Sequence, residues 1–255
     1  MELCARAVER GLGGLCFTEH LDFNTELPEY GFYRYDHATA AIAEARDHYQ
    51  TRLDIRMGLE VEYDIRFEKQ IRAVVPLLSV DFVLGSVHEY RGVHFANYVR
   101  QGRHHMTAEE LTALYREYGQ TTRAMIRTGI FDCIGHLDYP AKRGIRRRDG
   151  QPAENYDEEM TSILTLAVAH GVGIEINTKH VVDGAPLAPP ASVVQTYSTL
   201  GGRLVTLGSD THGAEELGEG LEAGLTVLHQ LGIPPVIYRR RQVEFFTDTG
   251  KPLAV

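Results

Sequence analysis

A chain of 255 residues with 43% hydrophobic side chains can bury a core and has the size of one large α/β unit. Its 35 acidic and 26 basic residues leave a net charge of -9, which argues against a general nucleic-acid binder, since phosphate backbones are held by excess lysine and arginine. Cys4, Cys16 and Cys133 are odd in number and form no CxxC pair, and no apolar run of about 18 residues is present. Disulfides, a cysteine-zinc site, a signal peptide and a membrane span are therefore not expected. A reducing cytoplasm is expected instead, with Cys16 and Cys133 as buried free thiols.

Leu3, Ala7 and Val8 share one face of a helix over 1–10, which Gly11 stops. Gly14 to Thr18 reads as a short buried strand running into Glu19 and His20. A polar loop rich in aromatics follows to Tyr35, where Tyr30, Tyr33 and Tyr35 either wall a pocket or pack the loop. A helix is predicted over 36–50, with Asp36 as its N-cap. The strand 53–62 ends in Glu60 and Glu62; a helix over 67–78 leads to the strand 81–88, which ends in His88. The segment 89–106 reads as a long loop, and long loops in compact domains are often functional.

Thr107 and Glu110 have the spacing of a capping box for a helix reaching Thr128, which Gly129 breaks. The strand 130–135 runs into His136 and Asp138, and the loop 139–153 after it carries Lys142, Arg143, Arg146, Arg147 and Arg148. A helix over 155–170, a strand over 172–177, a helix within 189–200 and a strand over 202–207 come next. That last strand opens into Gly208-Ser209-Asp210-Thr211-His212; a helix over 215–230 and a tail over 236–248, either a short strand or a docked segment, close the series. Six strands alternating with helices predict one parallel sheet with covering helices, in a single domain over 1–255.

The polar residues collect at one kind of position. His20, Glu60, His88, His136, Asp210 and His212 all stand at or just past the C-terminal end of a predicted strand. In a parallel α/β barrel those ends share the face that carries the active site. Asp210 and His212, two apart in extended chain, point to the same side. Carboxylate and imidazole ligands without thiolate suit Zn, Mn or Fe. Several such ions close together clamp a phosphoryl group and acidify a water, which points to metal-assisted hydrolysis of a phosphoester.

Five segments then carry a resemblance. Phe17-Thr18-Glu19-His20, Gly58-Leu59-Glu60-Val61-Glu62, Gly85-Ser86-Val87-His88, Ile134-Gly135-His136-Leu137-Asp138 and Gly208-Ser209-Asp210-Thr211-His212 resemble, in order, the motifs of the PHP phosphoesterase family, in its histidinol-phosphate phosphatase branch. The resemblance implies a (β/α)7 TIM-like barrel, up to three divalent metal ions, and hydrolysis of L-histidinol phosphate in histidine biosynthesis. It implies that Glu60 bridges the first two ions and that His88 and His136 complete the second site. Asp210 falls to the first site, where it also orients or deprotonates the attacking water, and His20 and His212 fall to the third. The family pattern opens with a strand ending in His-x-His, which these 255 residues do not contain. An upstream extension of the reading frame is expected to supply it; a truncated chain with impaired catalysis is the alternative. The retained ligands complete the second site alone.

Other residues have two readings each. Glu62, on the strand side of Glu60, either holds a ligand in orientation or serves the surface; Asp138, two after His136, is read likewise. Lys142 and Arg143, with Lys179 after the strand at Asn177, either bind substrate phosphate or belong to solvated charge runs. His94, His104 and His105 lack ligand spacing, though one of them can reach substrate; His180 is left open. His37, His48, His170 and His229 fall in helices and are expected at the surface. The expected partner is a small phosphorylated substrate, with neither nucleic acid nor membrane. The alternatives are a PHP-type hydrolase of another small phosphoester or a nucleotide, and a metal-binding protein with little turnover. Composition sets no oligomeric state.

Overall fold

Strand segments with apolar residues at alternate positions, joined by amphipathic helices, build the fold in chain order. The computed structural model describes residues 1–25, 30–31 and 33–245 and the backbone of 253–254. Helix α1 (Glu2–Glu9) leads into β1 (Gly14–His20), α2 (Tyr35–Tyr49) into β2 (Asp54–Glu62), and α3 (Glu68–Val74) into β3 (Phe82–Ser86). Four small elements follow: β4 (Glu89–Tyr90), β5 (Val93–His94), α4 (Phe95–Arg100) and β6 (His105–Met106). Next come α5 (Ala108–Arg127), β7 (Cys133–Ile134), α6 (Tyr139–Lys142), β8 (Arg146–Arg147) and α7 (Tyr156–His170). Then β9 (Gly173–Asn177), α8 (Ala191–Thr199), β10 (Val205–Gly208) and α9 (Leu221–Leu231) lead to the hairpin β11 (Val236–Arg239) and β12 (Gln242–Phe245), and to β13 (Leu253–Ala254).

Seven strands form one sheet in the order β10-β9-β7-β3-β2-β1-β13, with every pairing parallel. The sheet curls, and the backbone of β13 runs beside β1 and near β10. All six strands expected from the sequence are present, in the barrel-like arrangement that a strand-helix alternation dictates. On β2, Ile55, Met57, Leu59 and Val61 are buried in the large core beneath the helices. The alternate set, Arg56, Gly58, Glu60 and Glu62, faces the concave side. Phe82, Leu84 and Cys133 on that side meet Val236 and Tyr238, so the β11–β12 hairpin closes the barrel at the N-terminal ends of its strands. Arg56, 5% exposed, ties the hairpin down by donating to Tyr238 O (2.6 Å) and to the carboxylates of Asp54 and Glu244.

Several local expectations change. Arg34, not Asp36, holds the N-cap position of α2, and Asp36 lies in the first turn. Pro76 ends α3 early and a 3-10 turn, Val75–Leu77, takes over. Gly218 and Gly220, at φ +75° and +71°, delay α9 to Leu221. The segment 89–106 is not an open loop. Arg91 and Gly92 turn at positive φ, β4 pairs with β5, and β6 pairs with β8 to tie this segment to the basic stretch after β7. The capping box of Thr107 and Glu110 forms as expected. The tail makes a hairpin through Phe245, and 246–248 lie outside the described residues. Among the described residues, no helix is long and apolar enough to cross a membrane. The three cysteines are unpaired; Cys4 and Cys133 are buried and Cys16 is half-buried.

Candidate active site

Because the strands are parallel, their C-terminal ends lie at one rim, and each chain turns sharply there. His136, Asp138, His180 and Asp210 all adopt positive φ (27°, 71°, 64° and 48°), a conformation that costs non-glycine residues energy and clusters at functional sites. Two adjoining cavities of about 290 and 440 Å³ open at this rim, and His20, Glu60, His136, Asp210 and His212 line both.

At their centre are Glu60 from β2, His88 from just beyond β3 and His136 from just beyond β7, all buried. Their ligand atoms lie within 4.8 Å of one another. His88 Nε2 is 3.1 Å from His136 Nε2, and Glu60 Oε1 is 3.0 Å from the latter and 3.4 Å from the former. Ser86 Oγ donates to the same oxygen at 2.6 Å. Glu60 Oε2 faces the other way, 3.6 Å from His20 Nε2. One carboxylate thus presents an oxygen to each of two histidine groups. Two imidazole nitrogens and a carboxylate oxygen converging in a buried space match the donor set of a divalent ion such as Zn.

The electrostatics agree. Burial pushes His88 down to about 4, so its ring is neutral and its lone pair free near pH 7. Burial opposes charge on Glu60, yet the imidazoles of His20, His136 and His88 hold its carboxyl well below the usual range. The Glu60 carboxylate in turn pushes His20 up to about 10.

Asp210 shares the cavity wall but is engaged by cations. Lys142 Nζ donates to its Oδ2 at 2.6 Å and to Asn177 Oδ1 at 2.9 Å. Lys179 Nζ donates to Asp210 O at 2.7 Å and lies 2.6 Å from His212 Nδ1. Burial disfavours the Asp210 carboxylate, but Lys142 keeps its carboxyl below the ordinary value. His212 is exposed at the mouth. Lys142, Arg143, Lys179, His94 and His180 line the larger cavity, so the candidate phosphate-binding cations do border the site.

Two expected orienting contacts are absent. Glu62 Oε1 stands 4.0 Å from His88 Nδ1, too far for a hydrogen bond. Burial, with Glu89, Asp22 and Asp64 nearby, pushes Glu62 up to about 9. Asp138 turns from the ligands altogether: its oxygens accept from Tyr115 (2.6 Å) and Tyr156 (2.7 Å), and its N–H donates to Tyr118 Oη (3.1 Å). The cause is its left-handed backbone, which aims the side chain at α5 and α7. Burial pushes its carboxyl up to about 6. Tyr115→Phe removes a hydrogen bond to a buried carboxyl group and is expected to destabilise the fold by about 1.5–3 kcal/mol in urea unfolding.

Sequence reasoning passed over Glu175, Asn177, Ser86 and Asp22. Glu175 accepts the His136 N–H (2.8 Å), and Asn177 bonds Lys142 and stands 3.3 Å from Asp210 Oδ2. Their signal was available: they are polar at alternate, inward positions of an otherwise apolar strand. A Cβ on Gly208 would stand 2.0 Å from Glu175 Oε1, so glycine there admits this carboxylate. Tyr30 is exposed, while Tyr33 packs on the core and Tyr35 Oη accepts from Ser79 N, which is loop packing. His37, His48, His170 and His229 are exposed, as expected.

A curated relative, "Probable histidinol-phosphatase" of Deinococcus radiodurans, is 28% identical over 95% of this chain and 91% of its own length. The "Histidinol-phosphatase" of Lactococcus lactis is also 28% identical, over 89% of this chain and 82% of that one. Among solved structures, the histidinol phosphate phosphatase of Lactococcus lactis, complexed with Zn, L-histidinol and phosphate, superposes with a TM-score of 0.79. It is 24% identical and covers 95% of this chain and 91% of that one. The "putative histidinol phosphatase hisK" of Listeria monocytogenes gives 0.71 at 17% identity, over 87% of this chain and 92% of that one. Both likenesses bear out the fold. The model of the PHP domain family matches residues 1–179, and with it the chain belongs to that family.

Proposed function

We propose that this protein is a metal-dependent phosphomonoesterase that hydrolyses L-histidinol phosphate to L-histidinol and phosphate, as a cytoplasmic enzyme of histidine biosynthesis. The observation that carries the reading is the convergence of Glu60, His88 and His136 in a cavity whose rim also holds Lys142, Arg143 and Lys179. The histidinol-phosphatase relatives supply the substrate. Glu60, His88 and His136 would hold a divalent ion, with His20, Asp210 and His212 as further donors along the same wall. When bound, such an ion polarises a phosphoryl oxygen and makes a water more acidic.

The protein's own groups do the rest. Lys142, Arg143 and Lys179 line the larger cavity and would offer positive charge to the phosphate oxygens. Asp210, kept ionised by Lys142, accepts a hydrogen bond from the attacking water and orients it. Of His20 and His212, both more open to solvent, the one that does not hold an ion would pass a proton to the departing alcohol. The purified chain, loaded with manganese or zinc, is to be assayed on L-histidinol phosphate and on an aryl phosphate. Selective turnover of the first is the expected result. Equal turnover of both would favour a broader phosphoesterase, and metal uptake without turnover would overturn the reading.

A further inference from the structure

The larger cavity borders a face whose charge runs against that of the whole chain. Residues 100–106 and 142–148 carry seven basic side chains and no acidic one, in a chain of net charge -9. The two segments leave the cavity wall side by side. Arg100 at the end of α4 and Arg143 just past α6 line the cavity, and Arg103 and Arg146 follow three residues on. Strands β6 and β8 then pair, with His105 opposite Arg146, and buried Met106 and Ile145 hold the pair to the core. Arg100, Arg103, Arg143, Arg146 and Arg148 are exposed, and none of them pairs with a carboxylate among the described residues. Most other arginines have such a partner, as Arg46 has Asp81 and Arg66 has Glu89. The groups these five do meet fix them without cancelling charge. The Arg103 guanidinium lies 4.5 Å from the centre of the Tyr98 ring, Arg146 Nε donates to His105 Nε2 at 3.2 Å, and Arg148 Nε donates to His105 O at 3.4 Å. Of the acidic groups that flank the two segments, Asp149 is bound by Arg147, Glu109 also lies near Arg147, and Glu110 closes the capping box. Desolvation, with His104, Arg146 and Arg148 close by, holds the His105 imidazole below its ordinary value.

A phosphomonoester is close to a dianion near pH 7, and a protein of net negative charge repels it. Uncompensated guanidinium groups on a face that leads into the cavity reverse that repulsion locally, because exposed charges act over the screening length of the solution. We propose that Arg103, Arg146 and Arg148 form an electrostatic approach to the active site, concentrating phosphate dianions at its mouth without touching the bound substrate. This rests on the phosphatase reading above. None of the three lines the cavity, so each acts through solvent. Three unit charges about 10 Å from a dianion in water raise its local concentration about 10-fold at 10 mM salt, where the screening length is about 30 Å. At 0.5 M salt, where that length is about 4 Å, the gain falls below about 2-fold.

The test compares zinc-loaded wild type with a triple variant, Arg103→Gln, Arg146→Gln and Arg148→Gln, and with the triple variant that carries lysine at the same positions. Steady-state kinetics on L-histidinol phosphate and calorimetric titration with inorganic phosphate are run from 10 mM to 0.5 M sodium chloride. At 10 mM the glutamine variant should show a KM about 3- to 10-fold above wild type and a phosphate affinity lower by a similar factor, with kcat unchanged. At 0.5 M the two proteins should agree within about 2-fold. The lysine variant, which keeps the charges and loses the planar groups, should follow wild type at every salt concentration. Equal salt dependence in wild type and the glutamine variant would overturn the proposal. So would a deficit that persists at 0.5 M, a fall in kcat, or a lysine variant as impaired as the glutamine one. A salt-dependent loss of phosphate affinity without ester turnover in any of the proteins would support the approach and sink the phosphatase reading. Turnover with no difference between the proteins would sink the approach alone.

Discussion

Glu60→Gln is expected to lower kcat/KM on L-histidinol phosphate by more than about 10²-fold, beyond the 10- to 100-fold that loss of an outer partner of a metal ligand costs. Glu60 is the anion of the buried trio, with Oε1 toward His88 and His136 and Oε2 toward His20. An amide keeps the shape but removes the charge, and its NH2 end turns a donor toward groups that need an acceptor. Metal content should fall together with activity, and added manganese or zinc should restore neither fully. Steady-state kinetics and elemental analysis check both. Activity and metal retained at the wild-type level would remove Glu60 from the centre of the site.

Tyr238→Ala should cost about 3–5 kcal/mol of stability, the range for deleting a large buried aromatic ring. Tyr238 is 4% exposed and its ring lies 5.0 Å from that of Phe82, inside the hairpin that closes the barrel. Its hydroxyl donates to Asp132 O at 3.3 Å and its carbonyl accepts from Arg56. Urea unfolding measures the loss. Zinc affinity of the folded variant should stay near that of wild type, since the hairpin packs on the first residues of β3 and β7 while the ligands stand beyond their ends. A loss under about 1 kcal/mol would mean that the hairpin contributes little to closing the barrel.

The sheet was legible because its strands are short, largely apolar runs that alternate with helical segments and lead into polar side chains at or just past their ends. Glu60, His88 and His136 were legible as a group because they share that address on adjacent strands β2, β3 and β7. Strand β7 was read too long, since a run of apolar residues sets burial and not the number of ladder bonds; two residues pair. Of the readings open for Asp138, the orienting one fails because the backbone there is left-handed rather than extended, so its side chain meets Tyr115 and Tyr156. Engagement of Asp210 by Lys142 and Lys179 joins residues 68 and 31 apart, which no local pattern reveals. The structured segment 89–106 was hidden for a related reason: β6 has its partner in β8, across the whole of α5.

Anomalous diffraction from crystals of the full chain soaked in a zinc salt tests the central claim most directly. The account predicts a zinc peak within ligand distance of Glu60 Oε1, His88 Nε2 and His136 Nε2, about 2.0–2.2 Å from each. Zinc bound elsewhere, with the three side chains still facing one another across an empty centre, would contradict it.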